Sequence, residues 1–194
     1  MITVSKLSEN VWKFTGSDRV NCYLLLEEKM MIDSGNPDDA EELKKEIGKI
    51  INLEQIKKII LTHLHYDHSG NISLFSNAIL FASQQEIDAF DSDAMGAVLD
   101  TRIVDDVHER GILPLPGHLN GFEIVPTPGH TAGSTCLIYK KDKILFTGDT
   151  KFGEGRYGRT DLPTSMPELL NESIQKLEKY TDLIFAPGHD YYAL

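Results

Sequence analysis

The chain has 194 residues, which suits one domain, or at most a domain with an appendage. Hydrophobic residues make up 41% and charged residues 25%, so disorder, collagen and coiled-coil rods are excluded. Thirty acids against 19 bases leave a net charge of −11, a field that repels phosphate backbones and anionic lipid surfaces. No Lys/Arg cluster exceeds a pair (Lys44 with Lys45, Lys57 with Lys58, Lys140 with Lys141). The expected partner is therefore a small molecule, not nucleic acid and not a membrane.

No apolar run approaches the ~20 residues needed to span a bilayer. Residues 1–10 lack the apolar core of a signal peptide. Two cysteines, Cys22 and Cys136, are too few for a disulfide framework, and both lie in apolar segments, so they read as buried thiols. A soluble cytoplasmic protein is expected. No heptad or long apolar patch sets an oligomeric state. No repeat or Ser/Gly linker interrupts the chain, which reads as a single domain over 1–194.

In chain order, residues 11–14, 21–26 and 29–33 read as strands, with Glu27 and Glu28 turning between the last two. Asn36-Pro37 opens a helix. Acids at Asp38, Asp39, Glu41 and Glu42 precede lysines at Lys44, Lys45 and Lys49, an order that complements the helix macrodipole. Leu43, Ile47, Ile50 and Ile51 form its apolar stripe. Residues 57–62 are a β-branched strand, 78–82 another strand, and 84–90 a short helix. Residues 91–116 carry little periodicity. Strands follow at 122–127, 134–139 and 144–147, then a helix over 166–180 and a last strand at 183–186. The order supports a mixed α/β or α+β domain, and pattern alone leaves parallel winding and a two-sheet sandwich both open.

The chemistry concentrates in His63-Leu64-His65-Tyr66-Asp67-His68, which follows the strand at 57–62. Alternate residues of an extended segment face one way, so His63 and His65 can meet one cation. Asp67 and His68 lie past the point where the chain must turn and can face a second. Imidazole and carboxylate suit borderline divalent cations such as Zn²⁺, Fe²⁺ or Mn²⁺.

Other ligand types recur at strand ends. Pro128-Gly129-His130, Thr147-Gly148-Asp149 and Pro187-Gly188-His189 each place a donor just after a glycine that ends a buried strand. Five of the seven histidines fall in these segments. Asp149 has lone pairs enough to bridge two cations. His108, in a charged stretch, and His118, in a turn, do not share this grammar and are left out.

These segments resemble the metallo-β-lactamase superfamily over nearly the whole chain, with Ser69-Gly70-Asn71 continuing the motif after His68. The resemblance implies a four-layer αβ/βα sandwich with two divalent metal ions at the edge between its sheets. It implies His63, His65 and His130 on one metal, Asp67, His68 and His189 on the other, and Asp149 between them. Zinc is expected, with iron and manganese also compatible. Asp33-Ser34-Gly35 is similar to the family's early strand-end motif, so Asp33 either supports a ligand or is a plain turn aspartate. Aspartate at 149, where zinc β-lactamases carry cysteine, argues against that activity. Histidine at 65, where flavodiiron proteins carry glutamate, argues against an oxidoreductase of that kind.

The segment 147–163 is similar to the glyoxalase II group, which hydrolyses S-acyl-glutathione thioesters. The expected activity is thus metal-assisted hydrolysis of a small thioester, with Asp67 and Asp149 serving the reaction as well as the metals. Two departures bear on glutathione. The chain ends five residues after His189, so a short form without the family's C-terminal helical region is expected, and Gly158-Arg159-Thr160-Asp161 stands where the thioesterase has a lysine in a differently spaced loop. Tyr191 matches by position a tyrosine that contacts substrate in glyoxalase II; packing at the chain end is its other reading. Arg156 and Arg159 are candidates for a substrate carboxylate, with pairing of Arg159 to Asp161 as the alternative. The rival activities are a mononuclear iron persulfide dioxygenase using His63, His130 and Asp149, and a lactonase or phosphodiesterase on the same ligands. By family analogy, residues 91–116 cover the site as a flap.

Overall fold

The computed structural model describes residues 1–191. Its first sheet has seven strands in sequential order: β1 (Thr3–Lys6), β2 (Val11–Thr15), β3 (Asn21–Leu25), β4 (Met30–Ile32), β5 (Lys58–Ile60), β6 (Ile79–Ala82) and β7 (Leu113–Pro114). The second runs β11 (Ile184–Pro187), β10 (Ile144–Gly148), β9 (Thr135–Tyr139), β8 (Phe122–Pro126). Pairing is antiparallel from β1 to β4 and parallel from β4 to β7. In the second sheet only β10 and β11 are parallel.

Parallel neighbours need long crossovers, and helices supply them: α1 (Ala40–Gly48) between β4 and β5, α3 (Gln84–Ser92), α4 (Ala94–Val98) and α5 (Thr101–Arg110) between β6 and β7, and α6 (Pro167–Leu177) between β10 and β11. The short α2 (Tyr66–Ser69) follows β5. The helix caps are built as the sequence chemistry demands. Ser83, Asp93 and Asp100 each accept a backbone N–H from the first turn of α3, α4 and α5.

Three apolar layers hold the elements together. Between the sheets, Tyr23, Leu25, Ile32 and Ile60 meet Leu137, Tyr139, Ile144 and Phe146. Tyr23 and Phe146 pack edge to face at 5.0 Å. Leu43, Ile47, Ile59, Leu80, Phe90, Ile103 and Val107 cover the outer face of the first sheet with α1, α3 and α5. Cys136, Ile138, Leu145 and Leu177 seat α6 on the second. Full burial of each large side chain contributes about 1.5–3 kcal/mol. The result is a mixed αβ sandwich of two sheets with helices outside. Both cysteines are buried, and burial raises both thiol pKa values, Cys136 to about 11.

Two expectations need correction, and one strand was not read from the sequence. The first helix stops at Gly48, so Ile50 and Ile51 pack after it rather than along its stripe. Residues 3–6 form an edge strand that alternating polar residues concealed, because an exposed edge need bury little. Residues 91–116 do not form a flap. They fold mainly as α4 and α5, which bury Ala97, Val98, Ile103 and Val107 against the first sheet, and reach the site cleft through Leu99. Leu99 holds a left-handed φ of 69° at the end of α4, a conformation that leucine adopts at a cost.

Candidate metal centre

The parallel pairs put four chain segments at one edge of the sandwich. Asp33 follows β4 and Thr62-His63 follow β5; Asp149 follows β10 and His189 follows β11. The loop carrying His130 leaves β8 at the same edge, and Thr135 N donates to the Thr62 carbonyl at 3.0 Å to join the sheets there. Carboxyl ends of parallel strands are where open α/β sheets place their sites.

Six donors are buried within this edge: His63, His65, His68, His130, Asp149 and His189; Asp67 is partly exposed. Three groups bring one atom per residue within 4.8 Å of each other: His63, His65 and His130; His63, His68 and Asp149; Asp67, His68 and His189. Asp149 lies between them, 3.2 Å from His68, 3.5 Å from His130 and 3.4 Å from His189. His189 is also 3.4 Å from Asp67. All seven ligand candidates read from the sequence are thus brought together. His108 packs on Phe90 at 4.7 Å, away from the centre, and His118 sits in the loop before β8.

The outward ring nitrogens are fixed from behind. His68 Nδ1 meets Asp33 Oδ2 at 2.9 Å, and Asp33 also accepts from Thr62 N and Oγ1. Asp33 therefore supports a ligand candidate, and it adopts a left-handed φ of 56° to do so. His130 Nδ1 faces the Arg159 carbonyl at 2.7 Å, and His189 Nδ1 faces the Asp18 carbonyl at 3.1 Å. Such contacts set tautomer and ring orientation. The inward atoms are another matter. His65 turns its Nδ1 inward, 2.9 Å from His130 Nε2. His63 Nε2 is buried with no hydrogen-bond partner, as are His68 Nε2 and Asp149 Oδ1, which come within 3.2 Å of each other without hydrogen-bond geometry. Buried polar atoms left so are costly. A cluster of them on borderline imidazole and hard carboxylate donors fits divalent cations.

Glycine is essential where the last turn enters. A Cβ on Gly188 would stand 2.3 Å from Asp149 Oδ1 and 2.8 Å from His68 Cε1. The turn is latched to the first sheet: Asn21 N donates to the Gly188 carbonyl at 2.7 Å, Tyr23 Oη to the Pro187 carbonyl at 2.6 Å, and Lys13 pairs with Asp190 at 2.6 Å.

The electrostatics divide the histidines in two. Burial, then neighbouring imidazoles, holds His63 well below the ordinary value and His65 down to about 3, so both are neutral donors. Burial also opposes charge on His68 and His189, but Asp149 and Asp67 overcome it and push them up to about 10 and about 12. Burial raises Asp149 and Asp67, and the same histidines outweigh it and lower both. In metal-free protein, protons on His68 and His189 thus balance the two carboxylates.

A stability profile follows. The raised histidines contribute fully below their unfolded pKa near 6.5 and lose that contribution as pH climbs towards 10. The depressed His63 and His65 contribute above 6.5 and lose it as pH falls towards 3. Chelator-treated protein should therefore melt highest near neutrality and lower on both sides, and a melting temperature flat from pH 5 to 10 would contradict this.

A cleft opens over the centre, lined by Tyr66, Leu99, Phe152, Arg159, Leu162 and Tyr191 besides the donors, with a volume of about 210 Å³. Tyr191 packs on Phe152 with ring centroids 4.8 Å apart and planes tilted by 46°, and Arg156 lies 5.8 Å from its ring. The Arg159 guanidinium forms a two-pronged pair with Asp161 at 2.7 Å on the exposed rim. Sequence reading missed Glu86, Phe152 and Leu99. Glu86 and Phe152 carry no motif, and their roles depend on which segments pack beside them.

The chain belongs to the metallo-β-lactamase superfamily, whose family model matches residues 15–189. Within it, the chain is 32% identical to a probable metallo-hydrolase of Streptococcus pyogenes serotype M6, over 87% of this chain and 75% of that protein. It is 33% identical to the hydroxyacylglutathione hydrolase GloC of Haemophilus influenzae, over 89% and 86%. The crystal structure of TTHA1623 in a di-iron-bound form matches with a TM-score of 0.67 and 25% identity, covering 91% of this chain and 90% of that one. These relatives support an enzyme of the metallo-hydrolase class. Among the described residues, no helix is long and apolar enough to cross a membrane.

Proposed function

We propose that the chain, as one metallo-β-lactamase-like domain over 1–194, is a dinuclear metal-dependent hydrolase of small thioesters. His63, His65 and His130 would hold one divalent ion, Asp67, His68 and His189 the other, and Asp149 both, with zinc as the resident metal. The observation that carries this reading is the set of buried imidazole and carboxylate atoms without hydrogen-bond partners, arranged about one shared aspartate. Its similarity to GloC favours a thioester as the bond cleaved.

Two such ions would supply an acidified water as nucleophile and Lewis-acid polarisation of a carbonyl. The chain's residues do the rest. Asp33, the Asp18 carbonyl and the Arg159 carbonyl keep three imidazoles in the required orientation. Asp67, partly exposed to the cleft, would orient the attacking water in this reading. Leu99, Phe152, Leu162 and Tyr191 narrow the cleft around a small acyl group. Arg156, beside the Tyr191 ring, would supply positive charge near the rim for a substrate carboxylate, and Arg159 would do so by exchanging its pair with Asp161. A thiolate leaves without much proton transfer, which suits a cleft whose acidic groups are committed to ligands.

Elemental analysis of purified protein, paired with an S-lactoylglutathione assay under anaerobic conditions, tests the reading. Two metals and turnover are expected. One iron per chain with oxygen uptake on a persulfide would replace the reading by the dioxygenase. Arg159→Ala should raise KM for an anionic thioester with kcat little changed. Because the Arg159–Asp161 pair is exposed, the melting temperature should barely move; an unchanged KM would remove Arg159 from the substrate contacts.

A further inference from the structure

One buried carboxylate outside the donor set ties two of its loops together. Glu86, in the first turn of α3, is 1% exposed. Its Oε2 accepts Leu64 N at 2.8 Å; its Oε1 accepts Thr131 Oγ1 at 2.5 Å and Gly133 N at 3.0 Å. All three donors are neutral. Leu64 sits between His63 and His65, and Thr131 directly follows His130. The helix start is itself clamped to the second loop, because Ser83 Oγ, which caps α3, donates to the Gly133 carbonyl at 2.7 Å. Thr131 Oγ1 also meets Ser134 Oγ at 2.7 Å, so its hydroxyl is held on two sides.

The other trio is anchored elsewhere. Asp33 backs His68, the Asp18 carbonyl backs His189, and the latch of Asn21, Tyr23 and Lys13 holds the turn before and after His189. A charged group buried against three neutral donors is an expensive way to join two loops. A neutral pair of side chains could have joined them more cheaply, so the position of those loops is what the carboxylate secures.

We infer that Glu86 is a positioning residue for the His63, His65 and His130 set alone, holding the loops on either side of it at the spacing one metal ion requires. This rests on the metal-centre reading above. The carboxylate acts through the Leu64 and Gly133 amides and the Thr131 hydroxyl, and it touches neither metal nor substrate. Without it, two buried N–H groups lose their acceptor, and the loops carrying His65 and His130 are free to separate.

The test uses Co²⁺ as the probe on the chelator-treated full chain, titrated by visible absorption against a competing chelator. Wild-type protein should take two equivalents. Glu86→Ala should weaken one equivalent roughly 10- to 100-fold, the scale for removing a group that orients ligands, and leave the other unchanged. Glu86→Gln, with the volume kept and one acceptor lost, should fall between. Thr131→Val, which removes one of the three donors, should weaken the same equivalent less than Glu86→Ala. If Glu86→Ala does not fold, the Gln and Val variants decide by the same criterion. Equal weakening of both equivalents, or of neither, overturns the inference while leaving the two-metal reading intact. Fewer than two equivalents on wild-type protein overturns the two-metal reading, and the inference with it.

Discussion

Asp149→Ala should abolish stoichiometric metal binding and hydrolysis together. Asp149 lies within 3.5 Å of His68, His130 and His189 at once, and its Oδ1 is buried without a hydrogen-bond partner. No neighbouring carboxylate can replace it, because Asp67 reaches only the His68 and His189 side. Activity should fall by at least the roughly 10²- to 10³-fold that removal of a single transition-state contact costs. The substitution has a second signature in metal-free protein. Asp149 is the main group holding His68 and His189 protonated, so their pKa values should drop. The loss of stability between pH 6.5 and 10 should then be smaller than in wild-type protein. Full metal content and full turnover in the variant would refute the assignment of the centre.

Gly188→Ala should be nearly as damaging, though it changes no ligand. Its added methyl would lie 2.3 Å from Asp149 Oδ1 and 2.8 Å from both Gly148 C and His68 Cε1. Backing away is blocked, since Gly188 N donates to the Gly148 carbonyl at 2.8 Å while its own carbonyl accepts Asn21 N at 2.7 Å. Overpacking of this kind costs about 1–3 kcal/mol. Here the displaced atoms are the donors themselves, so metal affinity should suffer more than stability. Metal content and thermal melting measured on one preparation separate the two effects. An unchanged metal content with an unchanged melting temperature would show that the turn can yield.

The seven donors were legible because each carries a chemical type and a spacing that a sequence displays directly. His63 and His65 alternate after a strand, and His130, Asp149 and His189 each follow a glycine at a strand end. Asp33 was legible only in part. As a strand-end aspartate before Ser34-Gly35 it suits a turn equally well, and its meeting with His68, 35 residues on, depends on β4 lying beside β5. Arg159 shows the reverse. Its side chain invited a functional reading, but its most definite contact at the centre is a backbone carbonyl on His130, which any residue could supply.

Local chemistry determined the ligand types, the capped helices, the buried strands and the acidic surface, because each depends on neighbours within a turn or a pleat. Which donors lie together, what fixes each imidazole from behind and where 91–116 lies were decided only by the tertiary arrangement of the elements. Parallel pairing aligns the ends of β4 with β5 and of β10 with β11, and packing of one sheet on the other then brings residues more than a hundred positions apart, such as Asp67 and His189, to one edge. Contacts at such separation come from the packing of whole elements, and no local pattern encodes them.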